Sequence, residues 1–383
     1  MKEKCKELLR YPLLVLFFLF LVGFMVLDGL WPKRSYSDLE RRQLNQFPAF
    51  SLSQLIQNKW TADYDSYTKD QVVFRDTWMK LQSLSERLLF QKVEIGGAVI
   101  GKNDALFTKM FGLTNNEEKL LNKNTLLVQQ FAENFPGKVT LMLAPSASLI
   151  YQEELPDGTP MLDENTALDT IFDAVGQDHV LDLRQPFEAA KADKLYYSTD
   201  HHWTTWGAYL AYRQFCSREG LDPLEVTQQD FTQVPDFYGT TYAKALYWKT
   251  QPDTLDYLEL PNQLTVWNID SQLNLTESFT AGLYDTEKFD TVDKYAAFLY
   301  GNNGYTTIQG NGEGSILVVK DSYANSFVPF LCANYERIGV IDPRGYKLSI
   351  QELAQQEGYD NILLLFNFQT FKSSNDLNGL AVR

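Results

Sequence analysis

The stretch Gly314–Phe330, GSILVVKDSYANSFVPF, indicates how this chain folds. Its apolar run Ile316–Val319 has no alternating polar residues, which is typical of a strand whose two sheet faces are both covered. Lys320, Asp321 and Ser322 follow at once. Because open α/β sheets bind ligands at the carboxyl ends of their strands, we predict Ser322 at this edge of a sheet. There it could be a nucleophile at the start of a helix, or only a helix N-cap.

Further segments of strand and helix type alternate along the chain. The other predicted strands are Gly97–Ile100, Val139–Leu143, Val180–Leu183, Leu264–Ile269, Ile338–Ile341 and Ile362–Phe366. The predicted helices between them are Asn116–Asn134, Glu164–Ala174, Thr205–Glu219 and Ile350–Gln356. This alternation predicts an α/β domain with a mainly parallel central sheet flanked by helices. Residues 220–315, rich in Thr, Asp, Gln, Tyr and Gly, fit the pattern poorly and are interpreted as an elaborated insertion.

The N-terminal part predicts a membrane anchor. Tyr11–Leu27, YPLLVLFFLFLVGFMVL, carries no charge, and with the residues to Trp31 it reaches roughly the 20 residues of one bilayer crossing. A cleaved signal peptide is the alternative, but Asp28 and Leu30 stand where small cleavage-site residues are needed. The predicted domains are a cytoplasmic tail (1–10), a transmembrane anchor (11–31), a stalk and helical linker (32–90) and an extracytoplasmic catalytic domain (91–383).

Composition excludes some classes of function. The formal net charge of −15 and the pI of about 4.7 would repel a phosphate backbone, so we predict no nucleic-acid partner. Cys5, Cys216 and Cys332 are too few and too scattered for a disulfide scaffold. Cys216 and Cys332 could pair, or could remain buried free thiols.

The segment Tyr196–Trp206, YYSTDHHWTTW, is the strongest candidate for chemistry. In an extended segment, residues two apart face the same side, so Asp200 and His202 are predicted to be neighbours while His201 points away. A simple turn is the alternative interpretation. A metal site would need more ligands, but the only other histidine is His179 and no cysteine is close in sequence, so we predict none.

A strand-end serine and a separate Asp-x-His loop are the parts of a Ser-His-Asp triad, here in the order Asp, His, Ser. Ser322 would be the nucleophile, because a hydroxyl attacks only when a base takes its proton. His202 would be that base, and Asp200 would orient it.

The run Ser198–Trp203, STDHHW, resembles the signature of the bacterial DHHW protein family. That family is similar to the SGNH-hydrolase-like proteins of alginate and other exopolysaccharide O-acetylation. Further matches are Phe74-Arg75-Asp76, Val99–Asp104 with Leu106-Phe107, Pro145 and Lys320–Tyr323. A departure is Lys320, which stands where the SGNH relatives usually have glycine.

The resemblance implies an SGNH-hydrolase-like fold and carries the family's Asp-x-His onto Asp200 and His202, and its nucleophile onto Ser322. It also implies a polysaccharide substrate and a multipass membrane-bound O-acyltransferase that delivers the acetyl group. No cofactor is expected, because a donor or this partner would supply the acetyl group.

Other side chains could contribute to an oxyanion or substrate site. Asn367, after the last predicted strand, could donate to an oxyanion or cap a strand end. Arg344 lies just past the strand Ile338–Ile341, and Asp321 and His201 flank the predicted triad. The aromatic residues that could stack on sugar rings, or merely fill the core, are Trp203, Trp206, Tyr238, Tyr242 and Trp248.

These observations predict a single-pass, membrane-anchored, extracytoplasmic O-acetyltransferase for a cell-surface or exported polysaccharide. Two alternatives stay open. A carbohydrate O-acetylesterase would use the same site with water as the acceptor. A non-catalytic glycan-binding subunit of an export complex would use the anchor, the stalk and the aromatic residues alone.

Overall fold

The structure is a computed structural model that describes residues 11–381. The predicted cytoplasmic tail, residues 1–10, lies outside the described residues. The described chain forms two compact units. One comprises residues 11–92 with Leu246–Trp248, and the other comprises Val93–Ala245 with residues from Lys249 onward. The predicted domain boundaries remain predictions.

The first unit begins with the helix Pro12–Leu30, which is long and apolar enough to cross a membrane. None of its 19 residues is buried, and aromatic residues flank it at Tyr11 and Trp31, where membrane interfaces favour them. Its length and composition are those of a membrane-spanning helix, and a signal sequence near an N-terminus has the same features.

The rest of the first unit consists of short elements joined by ion pairs. They are the strands β1 (Tyr36–Ser37) and β2 (Arg42–Gln43) and the helices Leu52–Ile56, Lys59–Gln71 and Arg75–Leu88. The buried Asp70 accepts hydrogen bonds from both terminal nitrogens of Arg42, which lower the pKa of Asp70 against the effect of burial. This pair joins the segment that follows the helix Pro12–Leu30 to the helix Lys59–Gln71.

The second unit contains twelve strands and eight α-helices among its described residues. The strands are β3 (Glu94–Ile95), β4 (Ala98–Ile100), β5 (Leu106–Thr108), β6 (Val139–Ala144), β7 (Thr232–Phe237), β8 (Asp253–Tyr257), β9 (Gln263–Ile269), β10 (Leu275–Gly282), β11 (Tyr305–Gln309), β12 (Ser315–Lys320), β13 (Arg337–Ile341) and β14 (Asn361–Asn367). The helices are Asn115–Asn134, Ala147–Ile150, Glu164–Val175, Arg184–Ala189, Thr205–Glu219, Thr240–Ala245, Ile350–Glu357 and Phe368–Ser373.

A seven-stranded central sheet organises the second unit, with the strand order β10-β9-β11-β13-β12-β14-β6. The last four strands in this order are parallel, and β10, β9 and β11 extend them by antiparallel pairing. The predicted α/β fold class is therefore confirmed. The parallel half contains β12, whose carboxyl end leads into Ser322, and β14, which ends at Asn367.

The apolar run in β12 follows from the two layers that cover the sheet. Ile316 and Val318 contribute to the hydrophobic core on one face, whereas Leu317 and Val319 contribute to the core on the other face. All four side chains are fully buried, and each such burial contributes roughly 1.5–3 kcal/mol. A polar side chain at any of these four positions would therefore be buried in one of the two hydrophobic cores.

One strand prediction was wrong in part. Val180–Leu183 makes only one bridge to the sheet, between Val180 and Leu141, because Asp182 accepts a hydrogen bond from the backbone of Arg184 and turns the chain away. The segment predicted as Gly97–Ile100 belongs to a separate three-stranded sheet of β3, β4 and β5. The insertion also contains more regular structure than predicted, since β10 and β11 join the predicted strand β9 in the central sheet.

Candidate active site

The structure places Ser322 just beyond the carboxyl end of β12, as predicted. Oδ1 of Asp321 accepts the backbone N–H of Tyr323 at 2.9 Å, and Oδ2 accepts the backbone N–H of Asn367 at 2.8 Å. Asn367 ends the neighbouring strand β14, so Asp321 fixes the turn to two parallel strands. The helix after it is a single 3₁₀ turn, Ser322–Asn325.

The Asp-x-His segment forms a tight loop that closes on Ser322. An isolated bridge joins Tyr196 to Trp203 across the base of this loop. Nδ1 of His202 lies 2.5 Å from Oδ1 of Asp200, and Nε2 of His202 lies 2.7 Å from Oγ of Ser322. The three side chains therefore form one continuous chain of hydrogen bonds, although 120 residues separate His202 from Ser322.

Asp200 is a buried carboxylate, and both of its oxygens accept hydrogen bonds. Its Oδ2 accepts both the backbone N–H and the hydroxyl of Thr240, at 2.6 and 3.0 Å. Burial opposes ionisation, but the fields of His201 and His202 and these hydrogen bonds outweigh it, and the pKa of Asp200 is well below its usual value. An ionised Asp200 favours a proton on Nδ1 of His202, which leaves Nε2 to accept one.

The insertion supplies this support for Asp200, which the sequence analysis missed. Gly239 packs so closely on Asp200 that a Cβ atom at position 239 would lie 2.1 Å from the Cβ of Asp200. A glycine beside Thr240 was the available signal, but the sequence alone did not say which residue it would approach.

Two rings hold the imidazole of His202, and neither contact was predicted. The ring of Tyr295 stacks on it with centroids 3.9 Å apart and planes 13° apart. The ring of His201 lies on it at 3.9 Å. The hydroxyl of Tyr295 donates to the backbone oxygen of Ser322 at 3.1 Å. Tyr295 therefore contacts both partners of the hydrogen bond between His202 and Ser322.

His201 does not point away from the site, so that expectation was wrong. The loop bends at this residue, and Nδ1 of His201 lies 2.7 Å from the hydroxyl oxygen of Thr240 and 3.4 Å from Asp200. Desolvation and the charge of His202 lower the pKa of His201, which favours the neutral form at physiological pH.

Three of the predicted oxyanion or substrate residues have other roles here. The side-chain amide of Asn367 donates to Asp321 and to the hydroxyl of Thr370, so both of its hydrogens are engaged. Asp321 is buried and is occupied by its turn, and burial raises its pKa. Trp203 is fully buried and donates to the backbone oxygen of Tyr323. None of the three presents a free group to a ligand in this geometry.

The remaining candidates lie closer to solvent. Arg344 binds Asp342 through Nε and Nη2, at 2.8 and 2.5 Å, and its side chain is 44% exposed. Tyr238 is half-buried with its ring 4.4 Å from that of Tyr242. Trp206 packs against the core, and Trp248 is exposed.

Asp200, His201 and His202 are close enough for one metal ion, with candidate ligand atoms within 4.8 Å of one another. Both ring nitrogens of His202 are already engaged, one with Asp200 and one with Ser322. A metal could bind His202 only by breaking the chain of hydrogen bonds.

The two described cysteines, Cys216 and Cys332, are free and buried.

A cavity of about 170 Å³ opens beside the site. It lies at the carboxyl ends of β6 and β14 and is lined by residues that include Asp200, His201, Ser146 and Lys244. Ser322 is not part of this lining. The cavity therefore offers space for a ligand next to the hydrogen-bond chain, on the side of His201.

Glu164 supports one wall of this cavity. Its carboxylate accepts the backbone N–H and the hydroxyl of Ser146, at 2.8 and 2.5 Å, and the Ser146 hydroxyl lies 2.9 Å from that of Ser148. Burial is the main influence on Glu164 and raises its pKa to about 7. The folded protein thus keeps Glu164 protonated at pH values where an unfolded chain ionises it.

This pKa predicts that stability falls as pH rises between about 4.5 and 7, because the folded state binds the extra proton in that window. The loss for this one group is about 3 kcal/mol. Glu164→Gln, which mimics the protonated acid, should remove this contribution. Urea unfolding of both proteins at pH 4.5 and 7.5 measures it. An equal difference between the two proteins at both pH values would contradict the prediction, and Glu133→Gln at an exposed site is the control.

Comparisons with known proteins show which families this chain resembles. Residues 170–341 match the family model described as DHHW protein. Residues 98–235 match the model described as SGNH hydrolase-like domain, acetyltransferase AlgX. A probable alginate O-acetylase AlgJ of Pseudomonas syringae pv. tomato is 25% identical over 207 residues, which are 52% of this chain and 51% of the relative. The chain thus spans about half the length of this curated relative.

Two solved structures share the fold. A DHHW family protein from Eubacterium siraeum has a TM-score of 0.63 at 21% identity and covers 75% of this chain and 96% of its own. Bacillus cereus PatB1 with a sulfonyl adduct has a TM-score of 0.57 at 18% identity, over 73% of this chain and 97% of its own. The two family matches together span residues 98–341, and they confirm that this part of the chain resembles the DHHW proteins and the SGNH-hydrolase-like acetyltransferase domain.

Proposed function

We propose that this chain is a membrane-anchored, extracytoplasmic O-acetyltransferase that transfers acetyl groups to a cell-surface or exported polysaccharide. The observation that carries the proposal is the chain of hydrogen bonds from Asp200 through His202 to Ser322 at the carboxyl edge of the sheet. The similarity to a probable alginate O-acetylase supports the choice of acetyl as the transferred group and of a polysaccharide as its acceptor.

In the first half of the proposed reaction, Oγ of Ser322 attacks the carbonyl carbon of an acetyl donor. Nε2 of His202 takes the hydroxyl proton, and Asp200 stabilises the imidazolium that forms. The tetrahedral intermediate collapses, the proton passes from His202 to the leaving group, and acetyl-Ser322 remains. The backbone N–H of Ser322 is the proposed oxyanion donor, since the first residue of a helical turn has no intrahelical partner for it.

In the second half, a sugar hydroxyl loses its proton to His202 and attacks the acetyl carbonyl. Collapse of this intermediate returns the proton to Ser322 and leaves the acetyl ester on the sugar. Tyr295 holds the imidazole plane throughout, because its ring stacks on His202 and its hydroxyl binds the backbone of Ser322. No cofactor takes part in this scheme.

The proposed location follows from the helix Pro12–Leu30, which is strongly apolar and has no buried residue. One bilayer crossing would cover it. The body of the chain would then lie outside the cytoplasm, where exported glycans are found. The acetyl donor would reach it through a multipass membrane-bound O-acyltransferase, which we propose as its partner.

Purified full-length protein in detergent provides the test of acyl transfer. Incubation with an activated acetyl ester and bare polysaccharide should yield acetylated glycan, and His202→Ala should yield none. Release of free acetate without acetylated glycan would support the esterase instead. Binding of glycan without either product, together with no labelling of Ser322 by a sulfonyl fluoride, would support a non-catalytic glycan-binding subunit.

A further inference from the structure

The helix Arg75–Leu88 exposes three of its apolar side chains on one face, whereas its other apolar side chains, Met79 and Leu84, are half-buried. Trp78 and Leu81 are each 47% exposed and Leu88 is 60% exposed, whereas the single buried residue of the helix is Ser83. At 100° per residue, the three apolar side chains lie within about 80° of one another, and Ser83 lies on the opposite side. A helix of a globular protein normally has the reverse arrangement.

The start of this helix is joined to the end of the proposed membrane anchor. Oδ1 of Asp28 accepts the backbone N–H of Val73 at 2.8 Å. The rings of Trp31 and Phe74 meet edge to face with centroids 4.8 Å apart. A tryptophan at the end of a membrane-spanning segment lies at the level of the lipid headgroups, so its neighbour Phe74 lies at nearly the same level.

Phe74 extends the exposed apolar stripe back to the anchor. It is 44% exposed and stands directly before the helix as its N-cap residue. We define the apolar stripe as Phe74, Trp78, Leu81 and Leu88. It begins at the membrane interface and continues along the helix Arg75–Leu88.

On the basis of the proposed anchor, we infer that the apolar stripe lies in the headgroup region of the same bilayer. The lipid surface is the occupant that the contacts favour, because the stripe is continuous with the membrane end of the anchor at Trp31. The face away from the stripe carries Lys80, Arg87 and Asp76, and Asp76 is paired with Arg34. Basic residues on the polar face are typical of helices that lie in a membrane interface.

The inferred contact gives the first unit a second point of attachment to the membrane. A single spanning helix leaves the segment that follows it free to rotate about the helix axis and to tilt. A helix inserted along the surface removes that freedom, since rotation or tilting would expose Trp78, Leu81 and Leu88 to water.

The test places an environment-sensitive NBD fluorophore at single cysteines in the full-length chain, in a Cys5→Ser background. Cys216 and Cys332 are buried and stay unlabelled in the folded protein. Leu81→Cys reports on the stripe, Lys80→Cys on the opposite face, and Phe20→Cys on the anchor. The proteins are reconstituted in vesicles of phosphatidylcholine and phosphatidylglycerol, with and without lipids that carry a shallow spin label.

Shallow spin-labelled lipids should quench NBD at position 81 about threefold more strongly than at position 80, with blue-shifted emission at position 81 only. Water-like emission without quenching at position 81 would overturn the inference. Blue-shifted emission without lipid quenching would also overturn it, because a protein surface would then cover the stripe. Quenching at position 20 by deeply labelled lipids tests the anchor separately. If it occurs while position 81 stays unquenched, the interfacial helix fails and the anchor stands.

Discussion

Replacement of Ser322 with alanine is expected to lower acetyl transfer to the polysaccharide by about 10³-fold or more. The hydroxyl oxygen of Ser322 is the atom that Nε2 of His202 approaches at 2.7 Å, and alanine offers no group to carry the acetyl ester. The measurement is the acetyl content of the surface glycan in a strain that carries Ser322→Ala. Acetylation at the level of the unmodified strain would contradict the proposed function.

The control for this experiment is Ser217→Ala, which removes a hydroxyl from an exposed position of the helix Thr205–Glu219. It should leave both acetylation and stability unchanged. The side chain of Ser322 bonds to His202 and lies outside the hydrophobic core. The melting temperature of Ser322→Ala should therefore stay within a few degrees of the unmodified protein, which separates lost chemistry from lost folding.

Asp342→Asn is expected to destabilise the protein by about 3–5 kcal/mol. The buried ammonium of Lys320 donates to Oδ2 of Asp342 at 3.1 Å and to Asn302 at 2.9 Å. Burial already lowers the pKa of Lys320, and Asp342 opposes that shift. Without the carboxylate, the chain must bury an uncompensated cation or deprotonate the lysine, and both cost free energy. Urea unfolding of the full-length chain in detergent measures the loss.

Two variants show whether this loss comes from the ion pair. Lys320→Met combined with Asp342→Asn should be more stable than Asp342→Asn alone, because the double variant has no buried cation to compensate. Asp157→Asn removes an exposed partner of Lys102, 2.8 Å away, and should change stability by less than about 1 kcal/mol. Equal losses from Asp157→Asn and Asp342→Asn would contradict the explanation.

Local sequence features predicted much of the parallel half of the sheet. The mostly apolar runs that became β6, β12, β13 and β14 predicted strands covered on both faces of a sheet. The structure has strands at all four places. The predicted helix Thr205–Glu219 is also present with these bounds, and the side chain of Thr204 caps it by accepting the N–H of Gly207. These features depend on neighbours along the chain, so a single sequence contains them.

Only those residues of the candidate site that belong to the two sequence motifs could be predicted. The proximity of Asp200, His202 and Ser322 could be expected from a strand end and a short loop. Thr240 and Tyr295 could not, because they come from the insertion and reach the site only through long-range packing. For the same reason the sequence left Asn367 open between an oxyanion donor and a cap, whereas in the structure Asp321 and Thr370 accept both of its side-chain hydrogens.

The support that the insertion gives to His202 limits how this scaffold can change its specificity. In many enzymes a segment that surrounds the crevice can be exchanged without touching the reactive groups. Here the same segment contributes the ring that lies on the imidazole and the threonine that binds Asp200. A chimera that replaced residues 220–315 with those of a relative would alter proton transfer together with acceptor choice. Evolution of new acceptors on this scaffold therefore has to keep equivalents of Thr240 and Tyr295, or rebuild the base along with the crevice.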